Sequence, residues 1–162
     1  MIPDPDEYRA AEALLARLRG KRLRLTTAES CTGGLVAGLL TAIPGASDVF
    51  ERGFVTYANE AKTELLGVPA LLIAAQGAVS EAVARAMAVG ALAHAAAEIA
   101  LAITGIAGPG GGGAEKPVGL VWFGLARAGD VRAFARQFLG SRDEIRAAAT
   151  REALALLQDF AV

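Results

Sequence analysis

The stretch Thr26–Gly38, TTAESCTGGLVAG, decides how the rest of the chain is read. Its first residues continue an alternation begun by Leu23 and Leu25, which is a strand signal. Its last residues open an apolar, helix-compatible run from Leu35 to Ala42 that ends before Pro44. Between the two lie one acid (Glu29), two hydroxyls (Ser30 and Thr32), the chain's only cysteine (Cys31) and the pair Gly33–Gly34. A strand turning directly into a helix is the repeating unit of an α/β sheet. At such a junction the first N–H groups of the helix lack partners and can hold an anion or a developing oxyanion.

Outward from this junction the pattern repeats. Asp6–Arg19 carries Ala10, Ala13, Leu14 and Leu18 at helical spacing, with Gly20 as a stop, and Arg22–Ala28 reads as the strand that enters the junction. After a Pro-Gly loop at 44–47, Val49–Tyr57 is strand-like and Asn59–Leu66 is a short helix. Leu71–Ala78 fits either element. Ser80 opens a long Ala-rich helix running to about Ala97, and Ile99–Thr104 is a buried strand. A Gly-rich loop follows. Val118–Arg127 and Val131–Leu139 flank Ala-Gly-Asp as a hairpin, and Ser141 caps a last helix from Arg142 to about Gln158. Helices alternating with strands, plus one hairpin, predict an α/β fold. The expected form is a three-layer α/β/α sandwich with a mixed sheet, one domain over residues 1–162.

Composition limits the function classes. The chain has 162 residues, 54% hydrophobic, with a formal net charge of −1. That balance gives no electrostatic reason to bind nucleic acid. The most apolar window, Ala86–Thr104, is broken by His94 and Glu98, so it reads as a buried helix and a core strand rather than a membrane span. The opening residues MIPDPDEYRA are acidic and Pro-broken, unlike a signal peptide, and Cys31 has no partner for a disulfide. A cytoplasmic protein is expected.

Several residues can carry chemistry. Ser30 is either a turn hydroxyl or a nucleophile, and if Thr32 caps the following helix, Ser30 is free to face a site. The usual base is missing, because His94, the one histidine, sits in the middle of an Ala-rich helix. One Cys and one His offer no metal-ligand spacing, and no Walker A sequence follows the glycines. Of the 16 basic residues only Lys21, Lys62 and Lys116 are lysines. A desolvated lysine can act as a base where arginine cannot. Lys62 is therefore either a solvated helix residue paired with Asn59 or Glu64, or a neutral base for Ser30 with Arg52 nearby lowering its pKa. Tyr57 would then relay or orient the proton. Cys31 is an alternative nucleophile, though buried cysteines are usually inert. Gly105 and Gly108 follow a buried strand, where glycines allow a ligand close to the backbone. Arg142 and Arg146, four apart on a helix, either grip a phosphate or pair with Asp143 and Glu144.

The segments AESCTGG (Ala28–Gly34), IPGASDVFERGFVTYANEAKTELLGVP (Ile43–Pro69), GAVSEAVARAMAVGA (Gly77–Ala91), AITGIAGPGGGGAEKPVGLVW (Ala102–Trp122) and FLGSRDEIR (Phe138–Arg146) together resemble the CinA C-terminal domain family. That family includes stand-alone nicotinamide-nucleotide amidases. The resemblance implies hydrolysis of the carboxamide of nicotinamide mononucleotide to nicotinic acid mononucleotide and ammonia, with no cofactor and no metal, often by a homodimer. It also implies a catalytic set of Ser30, Lys62 and Tyr57. Substrate contacts are expected from Glu29, Cys31, Thr32, Gly33 and Gly34, from Thr104, Gly105, Ile106, Ala107 and Gly108, and from Arg142. The rival is a catalytically silent nucleotide-binding or regulatory module.

Overall fold

In the computed structural model, which describes residues 4–161, six α-helices and five strands form the expected three-layer α/β/α arrangement. The elements are α1 (Pro5–Gly20), β1 (Leu25–Glu29), α2 (Leu35–Thr41), β2 (Phe50–Val55), α3 (Asn59–Leu66), α4 (Ala70–Gln76), α5 (Glu81–Ala93), β3 (Ile99–Gly105), β4 (Leu120–Arg127), β5 (Asp130–Gln137) and α6 (Arg142–Phe160). The sheet order is β2-β1-β3-β4-β5. β1 runs parallel to both β2 and β3, while β4 and β5 are antiparallel additions, so the sheet is mixed.

Several elements differ from the sequence expectation: β2 spans Phe50–Val55 rather than Val49–Tyr57, and the hairpin strands are Leu120–Arg127 and Asp130–Gln137 rather than Val118–Arg127 and Val131–Leu139. β1 starts at Leu25 rather than Arg22, because Arg22 takes a left-handed φ of 57° in the turn after α1. The Pro-Gly loop contains one 3-10 turn at Ala46–Asp48. The ambiguous stretch is the helix α4. The Ala-rich helix stops at Ala93, where His94 caps it, short of Ala97. His94 is exposed there, with its Nδ1 2.8 Å from Gly90 O.

The two faces of the sheet are built from side chains of different size. On one face Leu25, Ile99, Leu101, Ile103, Val121, Phe123 and Leu125 pack against α1, α2 and α6. On the other, Ala28, Ala100, Ala102 and Ala126 meet α5. The alternation of large and small residues along β1, β3 and β4 is the period-2 pattern of a strand, with bulk assigned to one side only. Small residues bring α5 down onto the sheet. A Cβ on Gly124 would lie 2.2 Å from Ala84 O, a backbone atom that cannot swing aside. The same device brings α3 close to α5, since a Cβ on Gly90 would lie 2.0 Å from Leu66 O. Close packing of α3 is what carries its side chains to the end of β1.

The parallel register brings the carboxyl ends of β1, β2 and β3 together. Glu29 is paired with Val55 on one side and Ile103 on the other. The ladder continues one step beyond the strands: Ser30 N donates to Ile103 O at 2.9 Å and Thr56 N to Glu29 O at 2.9 Å. The chain leaves β1 toward β2 through α2 on one face and returns to β3 through α3–α5 on the other. Open α/β sheets place their ligand crevices at such a switch point.

Candidate active site

Ser30 is the first residue after β1, its backbone pinned by the extended ladder and its side chain almost fully buried. Lys62 lies one turn into α3 and is only 1% exposed. Its Nζ stands 3.1 Å from Ser30 Oγ, 2.9 Å from Thr56 O and 3.4 Å from Tyr57 O. Burial without a carboxylate partner holds the Lys62 amine below its ordinary range, against smaller opposing effects of Cys31 and Glu60. Arg52, expected to contribute, points elsewhere: it is exposed on the edge strand and binds Glu51 through two nitrogens at 2.6 and 2.8 Å.

These groups line a pocket of about 210 Å³. Of the residues singled out from sequence, Ser30, Cys31, Tyr57, Lys62, Thr104, Gly105, Ala107 and Arg142 border it. Glu29, Thr32, Gly33, Gly34, Ile106 and Gly108 do not. Sequence reasoning passed over three further walls, Asn59, Ala78 and Val79. Asn59 carried a signal, standing one turn before Lys62 at the start of α3. Ala78 and Val79 carried none, because their place follows from Thr104 Oγ1 donating to Ala78 O at 2.8 Å across the fold. A larger cavity of about 520 Å³ lies between α1, α2 and α6, with Gly34, Leu35 and Leu39 in its walls, and holds no comparable nucleophile and base.

Tyr57 is at the mouth, 59% exposed. Its carbonyl faces Lys62, while its hydroxyl accepts from Arg142 Nη2 at 2.8 Å. Arg142, the first residue of α6, also donates through Nη1 to Gly108 O at 2.8 Å, so it ties the Gly-rich loop to the rim. Lys116 ties the same loop to α4 by donating to Gln76 O at 2.6 Å. Gly105 serves the protein's own packing: a Cβ there would lie 2.7 Å from Val121 Cγ2 and 3.1 Å from Cys31 Sγ.

The expected helix cap is replaced. The Thr32 hydroxyl is buried without a hydrogen-bond partner, and Gly34, with φ of 96°, occupies the cap position of α2. Glu29 does the capping from the strand: its carboxylate accepts from Gly34 N at 3.1 Å, Val36 N at 3.2 Å and Ala37 N at 2.8 Å. The helix N-terminus, a ready anion site on sequence grounds, is thus filled by the protein's own carboxylate. Gly33 N is also committed, donating to Ser30 O at 3.0 Å. Cys31 and Thr32 are the junction residues whose N–H groups meet no backbone oxygen acceptor among the described residues; both lie against the Cys31 sulfur instead. The Cys31 thiol, chiefly through burial, is pushed up to about 11, which keeps it protonated and removes it as a nucleophile at neutral pH.

Arg146 departs from the ion-pair reading. It pairs with neither Asp143 nor Glu144, and instead donates from Nε to Cys31 O at 3.1 Å and from Nη2 to Thr32 O at 3.2 Å. Glu144 completes a capping box with Ser141.

The chain as a whole is similar to known proteins. The sequence model of the CinA C-terminal domain matches residues 7–161. The chain is 49% identical over 157 residues to the nicotinamide-nucleotide amidohydrolase PncC of Shigella flexneri, covering 96% of this chain and 95% of that protein. The chain belongs to the CinA C-terminal domain family. A CinA-like protein of an Anaeromyxobacter species is 54% identical over 147 residues, but the CinA domain described here spans only 36% of its length. Among solved structures, the competence/damage inducible protein CihA of Agrobacterium tumefaciens superposes with a TM-score of 0.95 at 46% identity, over 98% of each chain. A CinA superfamily protein of Escherichia coli gives 0.92 at 40% identity, covering 99% of this chain and 94% of that one. No helix among the described residues of this family member is long and apolar enough to cross a membrane.

Proposed function

We propose that this protein is an amidohydrolase that releases ammonia from the carboxamide of nicotinamide mononucleotide, with Ser30 as nucleophile and Lys62 as its base. The geometry around Lys62 Nζ carries the reading. A neutral amine has two N–H donors and one lone pair. In the neutral form Thr56 O and Tyr57 O take the two donors, and the lone pair is then the partner for the Ser30 proton across the 3.1 Å Nζ–Oγ contact, in which the ammonium form donates instead. Burial favours the neutral form that this requires. The full-length likeness to PncC supplies the substrate class.

In the proposed sequence Ser30 Oγ attacks the carboxamide carbon as Lys62 takes its proton. The amine returns that proton to the departing ammonia, and water then cleaves the acyl-serine with the same base. The N–H of Cys31, the residue after the nucleophile, meets no oxygen acceptor and contacts only its own sulfur, and it is the donor assigned to the oxyanion. A pocket of about 210 Å³ is smaller than the roughly 300 Å³ at which whole-ligand sites begin. It therefore takes the pyridine carboxamide, and the ribose phosphate lies at the mouth, where Arg142 and the Tyr57 hydroxyl meet the phosphate. Tyr57 orients the lysine through its carbonyl and the substrate through its hydroxyl. The protein works as a homodimer in the cytoplasm, the exposed Val55, Leu71 and Leu139 offering apolar surface for the pairing. Sedimentation measures the dimer directly.

The test is ammonia release from nicotinamide mononucleotide by the purified protein, with Ser30→Ala and Lys62→Arg as controls. Release by the wild type and loss of at least about 100-fold in both variants is expected. Binding without release by the wild type would instead identify a silent nucleotide-binding module.

A further inference from the structure

We infer that Arg146 is a positioning residue for catalysis: it clamps the two carbonyls after Ser30 and so fixes the Cys31 N–H as the oxyanion donor. The inference rests on the acyl-transfer reading above. A turn containing Gly33 at φ 60° and Gly34 at φ 96° has little stiffness of its own, because glycine moves readily between these and other conformations. Gly33 N on Ser30 O and the Glu29 carboxylate on Gly34 N hold its two ends, and the Cys31 and Thr32 carbonyls between them take their side-chain grip from α6. The planar guanidinium of Arg146 reaches in from α6 and grips two successive carbonyls, Cys31 O and Thr32 O, with one fork. The two carbonyls belong to successive peptides, and the second, Thr32–Gly33, also carries the Gly33 N–H that holds Ser30 O at 3.0 Å; Ser30 O shares its peptide plane with the Cys31 N–H, so the grip on Thr32 O reaches that N–H through one hydrogen bond.

Arg146 also balances charge. Buried Glu29 stands at the base of the turn and opposes any negative charge that develops at Ser30. The helix N-terminus that would ordinarily offset it is spent on that same carboxylate. Arg146 forms no ion pair with a described carboxylate, so its charge is left to act on the turn. The Cys31 thiol feels both neighbours, Glu29 raising its pKa and Arg146 lowering it.

The experiment compares the full-length wild type with Arg146→Ala, Arg146→Gln and Arg146→Lys. Steady-state ammonia release gives kcat and KM. Calorimetry of nicotinamide mononucleotide on Ser30→Ala, with and without Arg146→Ala, gives ground-state affinity. Inhibition by pyridine-3-boronic acid, which forms a tetrahedral adduct on a reactive serine, reports the oxyanion site. A misplaced donor predicts a loss of about 100-fold in kcat for Arg146→Ala. KM and ground-state affinity should stay within about twofold, and boronate binding should weaken with kcat. Arg146→Lys, which keeps the charge, and added guanidinium with Arg146→Ala should each restore part of the rate. Should Arg146→Ala fold poorly, Arg146→Lys against Arg146→Gln makes the same comparison. A kcat within about threefold of wild type overturns the inference, as does a rise in KM and ground-state affinity constant with kcat intact, or boronate binding that does not change. A wild type that binds boronate but releases no ammonia refutes the substrate reading alone, and the boronate comparison then decides Arg146 by itself. A wild type that binds no boronate overturns the inference too.

Discussion

Replacing Lys62 by Met keeps the length and apolar stem of the side chain and removes the amine. The rate consequence is large: without a base, acyl transfer should slow by about 10³-fold, or roughly 4 kcal/mol of barrier. The stability consequence is more diagnostic because it depends on pH with a fixed sign. Burial lowers the native pKa of Lys62 from its ordinary value of 10.5. Below the lowered value both folded and unfolded chains hold the proton, and Lys62 contributes no slope. Between the lowered value and 10.5, the unfolded chain holds a proton the native state has lost, so stability rises with pH. The slope reaches about 1.4 kcal/mol per pH unit for one proton. At roughly 2–4 °C per kcal/mol for a chain of this size, wild type should gain about 3–6 °C per pH unit on Lys62→Met within that window. Thermal melts of both proteins from pH 6 to 10.5 measure the difference directly, and wild-type kcat should rise through the same lower limit. A Tm difference that stays constant across the range would mean Lys62 titrates as a solvated lysine, and the neutral-base mechanism would fail with it.

Other substitutions separate the remaining roles. Glu29→Gln leaves one acceptor oxygen for three N–H groups and should cost about 2 kcal/mol, or roughly 4–8 °C in Tm; an unchanged melt would reject the capping role. Gly124→Ala forces a methyl group against Ala84 O and Ala84 C, which would stand at 2.2 and 2.7 Å, and urea denaturation should show a loss of at least about 1–3 kcal/mol. Tyr57→Phe keeps the carbonyl on Lys62 and removes the hydroxyl bound to Arg142, so KM for the mononucleotide should rise several-fold with kcat within about twofold. A collapse of kcat at constant KM would make the phenol a proton relay instead.

What could be read from the sequence was local. The bounds of α3, Asn59–Leu66, follow from a helical run closed by Gly67, which sits at the left-handed C-cap, and the structure keeps them. The buried strand β3 and the Ser141 cap of α6 are equally local. What could not be read depends on contacts distant in sequence. Thr32 has the right chemistry for a helix cap, yet Glu29 displaces it, because the end of β1 aims a carboxylate at three N–H groups five to eight residues ahead. Arg52 is ten residues from Lys62, but its edge strand turns it toward Glu51. Ala78 enters the pocket only because Thr104, on another element, bonds its carbonyl. Ser30 and Lys62 could each be nominated by residue type, while their 3.1 Å separation depends on α3 packing closely on α5 through Gly90.

One physical cause assigns opposite parts to the two groups that compete for the pocket. Burial disfavours charge of either sign, so it raises the pKa of an acid and lowers that of a base. Cys31 is an acid, and its thiol at about 11 stays protonated and unreactive. Lys62 is a base, and the same desolvation moves it toward the neutral amine that can accept a proton. A histidine would need no such help, since its unperturbed pKa already lies near neutrality. With the single histidine exposed at the end of α5, the proposed mechanism depends on dryness instead. Dryness comes from the small-residue face of the sheet, where Ala28, Ala100, Ala102 and Gly124 let α5 settle and α3 follow. Any substitution that lifts α5 and admits water to Lys62 should therefore raise the pKa of the lysine and slow the reaction at neutral pH, even where Ser30 and Lys62 themselves are untouched.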